Sequence, residues 1–334
     1  MISVKKLVSK VVSCAMAVVA AVGLMTTTVS AYDYNKANKL CGDSYVSTSY
    51  TTAKYLGYKS TSKSYSNIIV TTDEGFADAI SSAYLSSVYK CPILYVHNSN
   101  SKAYSETINN IKTFAVSKAN VFIVGGTGAV SSNFENQVKK AGFRTTRLSG
   151  SNRYDTNLKV LKQVNAQNSS EIMIACGTDF PDALCAASVN RPVMLVGKGG
   201  LTASQKTFLT NSKRRFTVVG GTGAVTPNTY RQLVSIAGTN NVKRISGKNR
   251  FETSAALAKA YKPNATVQVA ASAYVYQDAL LAATLANSKG GILVLVSGPT
   301  DKASAYNKMP VPRSQYYLFT DKQNDNDEWH VIGV

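Results

Sequence analysis

Two stretches, VFIVGGTGAVSS (121–132) and FTVVGGTGAVTP (216–227), each run four apolar residues into a glycine-rich loop and on toward a helix. A strand, loop and helix start of this kind can cradle a phosphate on backbone N–H groups. A dinucleotide fingerprint, however, needs a third glycine and an acidic residue about twenty positions on. Gly126-Thr127-Gly128-Ala129-Val130-Ser131 supplies only the first two glycines, the residues around Arg147 and Leu148 are not acidic, and no Gly-Lys-Ser/Thr follows. The pattern excludes a nucleotide site, and no cofactor is expected.

Other chemistry-bearing residues are sparse. The only histidines are His97 and His330, and the cysteines beyond the first 31 residues are Cys41, Cys91, Cys176 and Cys185. These spacings match neither a zinc site nor a dense disulfide framework; a local Cys176–Cys185 bridge stays open. No Ser-His-Asp arrangement or glycosidase-like carboxylate pair stands out, and only Cys91 and His97 lie close enough in sequence for a thiol nucleophile and its base. The expectation is a protein without a catalytic centre.

Arginines and aspartates recur with a longer period. RLSGSNRYDT (147–156) is echoed by RISGKNRFET (244–253), and CGTDFPDALCAA (176–187) by SAYVYQDALLAA (272–283). RPVMLVG (191–197) is answered by GGILVLVSG (290–298). A more eroded copy precedes them in LCGDSYVST (40–48), DEGFADAISSA (73–83) and CPILYV (91–96). Three copies of about one hundred residues therefore cover the chain beyond its start, with expected bounds 40–147, 148–244 and 245–334; the last stops where a third glycine loop would begin.

Within a copy, short apolar runs such as Ile172–Ala175, Val193–Val196 and Thr217–Val219 alternate with helical spacing at Leu158, Leu161 and Val164, at Ala183 to Val189 and at Leu201 to Leu209. Alternation of this kind predicts an α/β fold of tandem parallel-sheet units. The recurring blocks then fall at the carboxyl ends of strands, the edge where open α/β sheets bind ligands. Arg153 with Asp182, and Arg250 with Asp278, are expected to pair within a copy and lock two loops. Arg153, Arg250, Arg147, Arg244 and Lys198 are the candidate polymer-binding residues. Asp78, Asp182 and Asp278 are assigned to loop-holding ion pairs. Gly125, Gly126 and Gly128, with Gly220, Gly221 and Gly223, are assigned to the strand-to-helix turn.

Lys5, Lys6 and Lys10 precede an uncharged stretch from Val11 to Val29, and Val29-Ser30-Ala31 has the form of a signal-peptidase site, so residues 1–31 read as a signal peptide. No later segment is apolar enough to span a bilayer. Removing those lysines lowers the formal charge from +19 to +16, with 34 basic and 18 acidic residues left. Such a body fits an anionic partner; the longest basic run, Lys213-Arg214-Arg215, is too short to favour nucleic acid.

With RLSGSNRYDT, FPDALCAA, RPVMLV and VVGGTGAV in this order, the chain resembles the cell wall-binding repeat 2 family of Gram-positive surface proteins. The resemblance implies three Rossmann-like units packed as a pseudo-threefold trimer and non-covalent attachment to anionic wall polymers, as in S-layer components and autolysins. It aligns the family's arginine and aspartate positions with Arg153, Asp182, Arg250 and Asp278. Its apolar strand aligns with Pro92–Tyr95, Pro192–Leu195 and Gly291–Val294. Copy one has Tyr45 in place of the arginine. Copy three lacks the phenylalanine-proline and most of the final glycine loop, with the acidic segment Asp321–Glu328 in its lead-in. No separate effector domain is expected, which leaves anchoring as the first reading and a wall hydrolase or autolysin modulator as the second.

Overall fold

The computed structural model describes residues 38–57, 64–98, 101–213, 215–296 and 315–318. The signal-peptide assignment and the features around Arg214, Asp321–Glu328 and His330 lie outside them. The apolar runs become strands buried on both faces, as parallel sheets with helices on either side require. In the first copy β2 (Tyr65–Thr72), β3 (Ile93–Val96), β4 (Ala115–Val124) and β5 (Arg144–Leu148) form a parallel sheet in the order β3-β2-β4-β5. The second repeats it with β6 (Ile172–Cys176), β7 (Val193–Val196), β8 (Phe216–Val219) and β9 (Val242–Ile245), ordered β7-β6-β8-β9.

The third sheet needs help from the start of the chain. β10 (Val267–Ser272), β11 (Ile292–Val296) and β12 (Gln315–Leu318) are completed by β1 (Asn38–Lys39), which pairs in parallel with β12. β1 thus takes in the third sheet the edge that β5 and β9 take in theirs. Strand register also corrects one alignment: Ile93, Val193 and Leu293 sit opposite Ile69, Met173 and Val269, so the apolar strand of copy three starts one residue later than its sequence match.

The helices are α1 (Tyr45–Tyr55), α2 (Phe76–Tyr89), α3 (Ser101–Phe114), α4 (Ser132–Lys140), α5 (Arg153–Gln163), α6 (Pro181–Ala187), α7 (Ala203–Thr210), α8 (Pro227–Ala237), α9 (Arg250–Tyr261) and α10 (Tyr276–Ser288). The recurring Ser, Thr or Asn before several of them caps free N–H groups: Ser131, Asn152, Thr226 and Asn249 each accept from the first turn of the helix that follows. The three Asp-Ala helices, α2, α6 and α10, pack on one another in all three pairings. Their alanines, among them Ala79, Ala83, Ala183, Ala186, Ala282 and Ala286, are buried in one core cluster that runs through all three units. Small side chains let these helices approach closely. Each also packs on the first helix of the next unit, α2 on α5, α6 on α9 and α10 on α1.

Polar ties reinforce the junctions. Asn157 Nδ2 donates to Ser81 Oγ (3.1 Å), Asn287 Nδ2 to the Ala187 carbonyl (2.7 Å), and the buried Tyr95 hydroxyl to the Gln277 carbonyl (3.0 Å). The Lys262 ammonium donates to the Gly291 carbonyl (2.6 Å) and to Asn287 Oδ1 (3.2 Å), yet burial, with Arg191 nearby, pulls its pKa down from 10.5 to about 8. A lysine depressed in the fold binds fewer protons there than when unfolded, so its charged form weakens the fold at neutral pH and that penalty lifts as pH rises from about 8 to 10.5. At about 1.4 kcal/mol per unit, discounted for the two carbonyl partners, the relief is on the order of 2 kcal/mol. Denaturant midpoints measured across this range should rise for the parent protein relative to Lys262→Met; parallel profiles would refute the assignment.

Candidate functional site

The glycine loops are turns held from both sides. Gly125 and Gly220 have φ of 124° and 102°, a region that side chains strain to reach. A Cβ on Gly125 would stand 2.9 Å from Asp78 Oδ2, and one on Gly220 2.1 Å from Asp182 Oδ2, whereas Gly126, Gly128, Gly221 and Gly223 face open space. In the first two units the aspartate of the Asp-Ala block is therefore packed against the first glycine of its own unit's loop.

From the other side the loop is clamped by arginine. Arg147 donates to the Gly125 carbonyl (2.9 Å) and pairs with Glu135 (2.9 Å), while Arg244 donates to the carbonyls of Gly220 and Val225 and lies over the Tyr230 ring. Burial pushes the Glu135 carboxyl up, but hydrogen bonds from Lys139, Thr145 and Arg147 bring it below the ordinary range. Arg147 and Arg244, expected at a polymer surface, instead hold their own loops; Arg147 is only 15% exposed.

Arg153 and Arg250 act across the junctions. Each opens a helix, α5 or α9, and donates back to its own unit, Arg153 to the Gly177 carbonyl and Arg250 to that of Ala273, both at 2.8 Å. Their guanidinium faces lie over aromatic rings of the preceding unit, Arg153 5.2 Å from the centre of Phe76 and Arg250 5.9 Å from that of Phe180. Burial raises the Asp78 and Asp182 carboxyls, with Asp179 pushing Asp182 further up; Arg153 draws Asp78 back down, and Arg250 draws Asp182 down. The arginine–aspartate pairing is expected within a copy, Arg153 with Asp182 and Arg250 with Asp278; the electrostatic coupling instead runs between copies, from Arg153 to Asp78 and from Arg250 to Asp182, because the first helix docks on the Asp-Ala helix before it. At the third junction Tyr45 takes the arginine's place, on the side of Asp278, which is 2% exposed.

One junction opens into a cleft of about 770 Å³ between units two and three. Lys198, Lys248 and Arg250 supply its positive charge, Asp179 and Asp182 its negative, and Gly221 and Gly223 of the glycine loop its floor. Lys198 and Lys248 are exposed. Among the expected residues Arg250, Lys198, Asp182 and the glycine loop meet here, whereas Arg153 belongs to the junction of units one and two. Lys248 and Asn249 escaped the sequence reading, although the echoed SGSNR and SGKNR blocks place both on the same loop. Cys176 and Cys185 are free rather than bridged, and burial pushes the Cys91 and Cys185 thiols well above their usual range. Among the described residues no helix is long and apolar enough to cross a membrane.

Similar proteins share this architecture. Over 238 residues the chain is 34% identical to N-acetylmuramoyl-L-alanine amidase LytC of Bacillus subtilis (strain 168), covering 70% of this chain and 46% of that one. It is 26% identical over 250 residues to the Amidase enhancer of the same organism, covering 73% of this chain and 33% of that one. It spans under half the length of either. Among solved structures, Cwp8 from Clostridium difficile superposes with a TM-score of 0.75 at 25% identity, over 85% of this chain and 49% of that one. Cwp6 from the same organism does so at 0.74 and 23% identity, over 86% and 46%. The model of cell wall binding domain 2 matches three successive segments, 39–135, 147–230 and 244–331. Three parallel-sheet units with the recurring blocks at their carboxyl edges, matched in tandem over most of the chain, make this a member of the cell wall binding domain 2 family.

Proposed function

We propose that this protein is a secreted anchoring module that attaches non-covalently to an anionic wall polymer through the carboxyl edges of its sheets. On this reading residues 1–31 are removed on export, and copies 40–147, 148–244 and 245–334 present three unequal faces to the polymer. The observation that carries it is the cleft at the second junction, where Lys198, Lys248 and Arg250 converge beside the glycine loop. The formal charge of +16 that remains after residues 1–31 are removed adds long-range attraction to phosphate- or carboxylate-bearing chains. Individual exposed charge contacts stabilise by only about 0.5–1 kcal/mol, so firm attachment arises from many of them along one polymer.

Isolated walls test this directly. Rising salt should release the protein, and stripping the acidic polymers should abolish retention. Reversing two cleft charges, Lys198→Glu with Lys248→Glu, should weaken retention on the order of tenfold at low salt. Retention indifferent to salt, polymer removal and charge reversal would overturn the reading.

A second reading, a modulator of wall hydrolysis, draws on the likeness to the amidase and the amidase enhancer. Zymography on purified walls separates the two: lysis by the protein alone, or faster lysis by an added amidase, favours modulation.

A further inference from the structure

The first unit departs from the second at one corner of its carboxyl edge. In the second unit the Tyr154 ring fills that corner and needs glycine on both adjoining strands. A Cβ on Gly177 would meet the ring at 2.7 Å, and one on Gly197 would stand 3.2 Å from its hydroxyl. Each glycine directly follows its strand, at the positions that Asp73 and His97 occupy in the first unit, while Val46 stands as the second residue of α1 where Tyr154 is the second of α5. The smaller buried valine removes the ring, and an aspartate–histidine pair takes the space.

The geometry of that pair is specific. Asp73 is 8% exposed, and its Oδ1 lies 3.0 Å from His97 Nδ1. With Nδ1–H donating to the carboxylate, the neutral imidazole presents a lone pair at Nε2. That lone pair faces another acceptor, Glu74 Oε1, at 3.9 Å, while Glu74 Oε2 accepts from the Asn98 N–H at 3.1 Å. A cation between these two acceptors, either a second proton on the imidazole or a metal ion, would satisfy both. Closing by about 0.5 Å would bring the two atoms to the spacing of about 3.4 Å that ligands of one tetrahedral ion with bonds of about 2.1 Å have. Among the described residues these three form the one group of histidine, cysteine and acidic side chains able to share an ion. Two carboxylates at this corner also stand out in a chain of net charge +19, at the unit whose first helix begins with Tyr45 rather than an arginine.

We propose that Asp73, Glu74 and His97 form a site for one divalent transition-metal ion, bound by His97 Nε2 and a Glu74 carboxylate oxygen. Asp73 orients the imidazole, the outer-shell arrangement common to metal-bound histidines. A mixed nitrogen and oxygen donor set favours Zn²⁺ and its neighbours over Ca²⁺ or Mg²⁺. The remaining coordination positions are open to water or, on the wall, to an acidic oxygen of the polymer. That last clause rests on the anchoring reading; the ion site does not.

The test is titration of the untagged full chain with Co²⁺, followed by displacement with Zn²⁺, in the absence of polymer. One ion per chain should bind, with absorption bands free of thiolate charge transfer. His97→Ala and the exposed-site variant Glu74→Gln should each weaken binding at least tenfold, Asp73→Asn by about tenfold to a hundredfold, and His330→Ala not at all. No stoichiometric binding at millimolar metal, binding that survives both His97→Ala and Glu74→Gln, or a thiolate band would overturn the site. On walls, a chelator should lower the salt concentration that releases the parent but not Glu74→Gln. An unchanged value would overturn the polymer clause while leaving salt-sensitive anchoring intact.

Discussion

Gly220→Ala is expected to destabilise the protein on the order of 3–4 kcal/mol, whereas Gly221→Ala, one residue on, should change stability by no more than about 0.5 kcal/mol. The two glycines share a loop and a sequence motif but not a physical role. At Gly220 the φ of 102° strains any side chain, and the new Cβ would fall 2.1 Å from Asp182 Oδ2. The carboxylate must then swing away from its place beside Arg250, and the loop loses its fit to the Arg244 clamp. Gly221 has neither obstacle, since nothing lies within 4 Å of a Cβ built there. Urea unfolding of both variants decides it, and equal midpoints would show that the loop yields freely. Because Asp182 and Arg250 line the cleft, Gly220→Ala should also lower retention on walls, and Gly221→Ala should not.

Asn157→Leu should cost a comparable amount, on the order of 3–5 kcal/mol, by a different route. The side chain is 1% exposed, its Nδ2 donates to the Val193 carbonyl (2.9 Å) and to Ser81 Oγ, and its Oδ1 accepts from the Leu195 N–H (3.0 Å). A leucine of similar size fills the volume but leaves strand β7 with an unmet donor and an unmet acceptor, each costing about 1–3 kcal/mol. The other units solve the same problem with serine: Ser49 Oγ accepts from the Tyr95 N–H (3.0 Å), and Ser254 Oγ donates to the Leu293 carbonyl (3.1 Å). Asn157→Ser should accordingly recover part of the loss. Thermal and urea denaturation read both variants, and a stable Asn157→Leu would mean that the junction repacks without its polar tie.

The repeat and the alternation of strand and helix were legible because both are local. Continuous apolar runs such as Ile172–Ala175 could be little else than buried strands, and the recurring loops had to fall at their ends. What escaped the sequence was everything that depends on which copy faces which. Asp182 and Arg153 are neighbours in the repeat, but Arg250 is the arginine whose charge draws the Asp182 carboxyl down, since α9 docks on α6. Arg147 and Arg244 begin the same repeated block as Arg153 and Arg250, and only the direction of their side chains separates a loop clamp from a junction residue. The Asp73, Glu74 and His97 corner was invisible for a related reason: what matters is the absence of a ring on a different helix, recorded in sequence as Val46 in the place of Tyr154, with Asp73 and His97 in the places of Gly177 and Gly197.

The pairing of β1 with β12 has a kinetic consequence. The first two sheets close with strands that follow shortly in the chain, so each can form as soon as its own hundred or so residues are available. The third must wait for a strand from the far end, a contact of very long sequence separation that folds slowly and carries a large loop-closure entropy. Until that edge is covered, β12 presents unpaired backbone groups to any passing strand. The third sheet is therefore completed last, which makes the meeting of β1 and β12 the step that commits the chain to one molecule rather than to an exchange of strands between two.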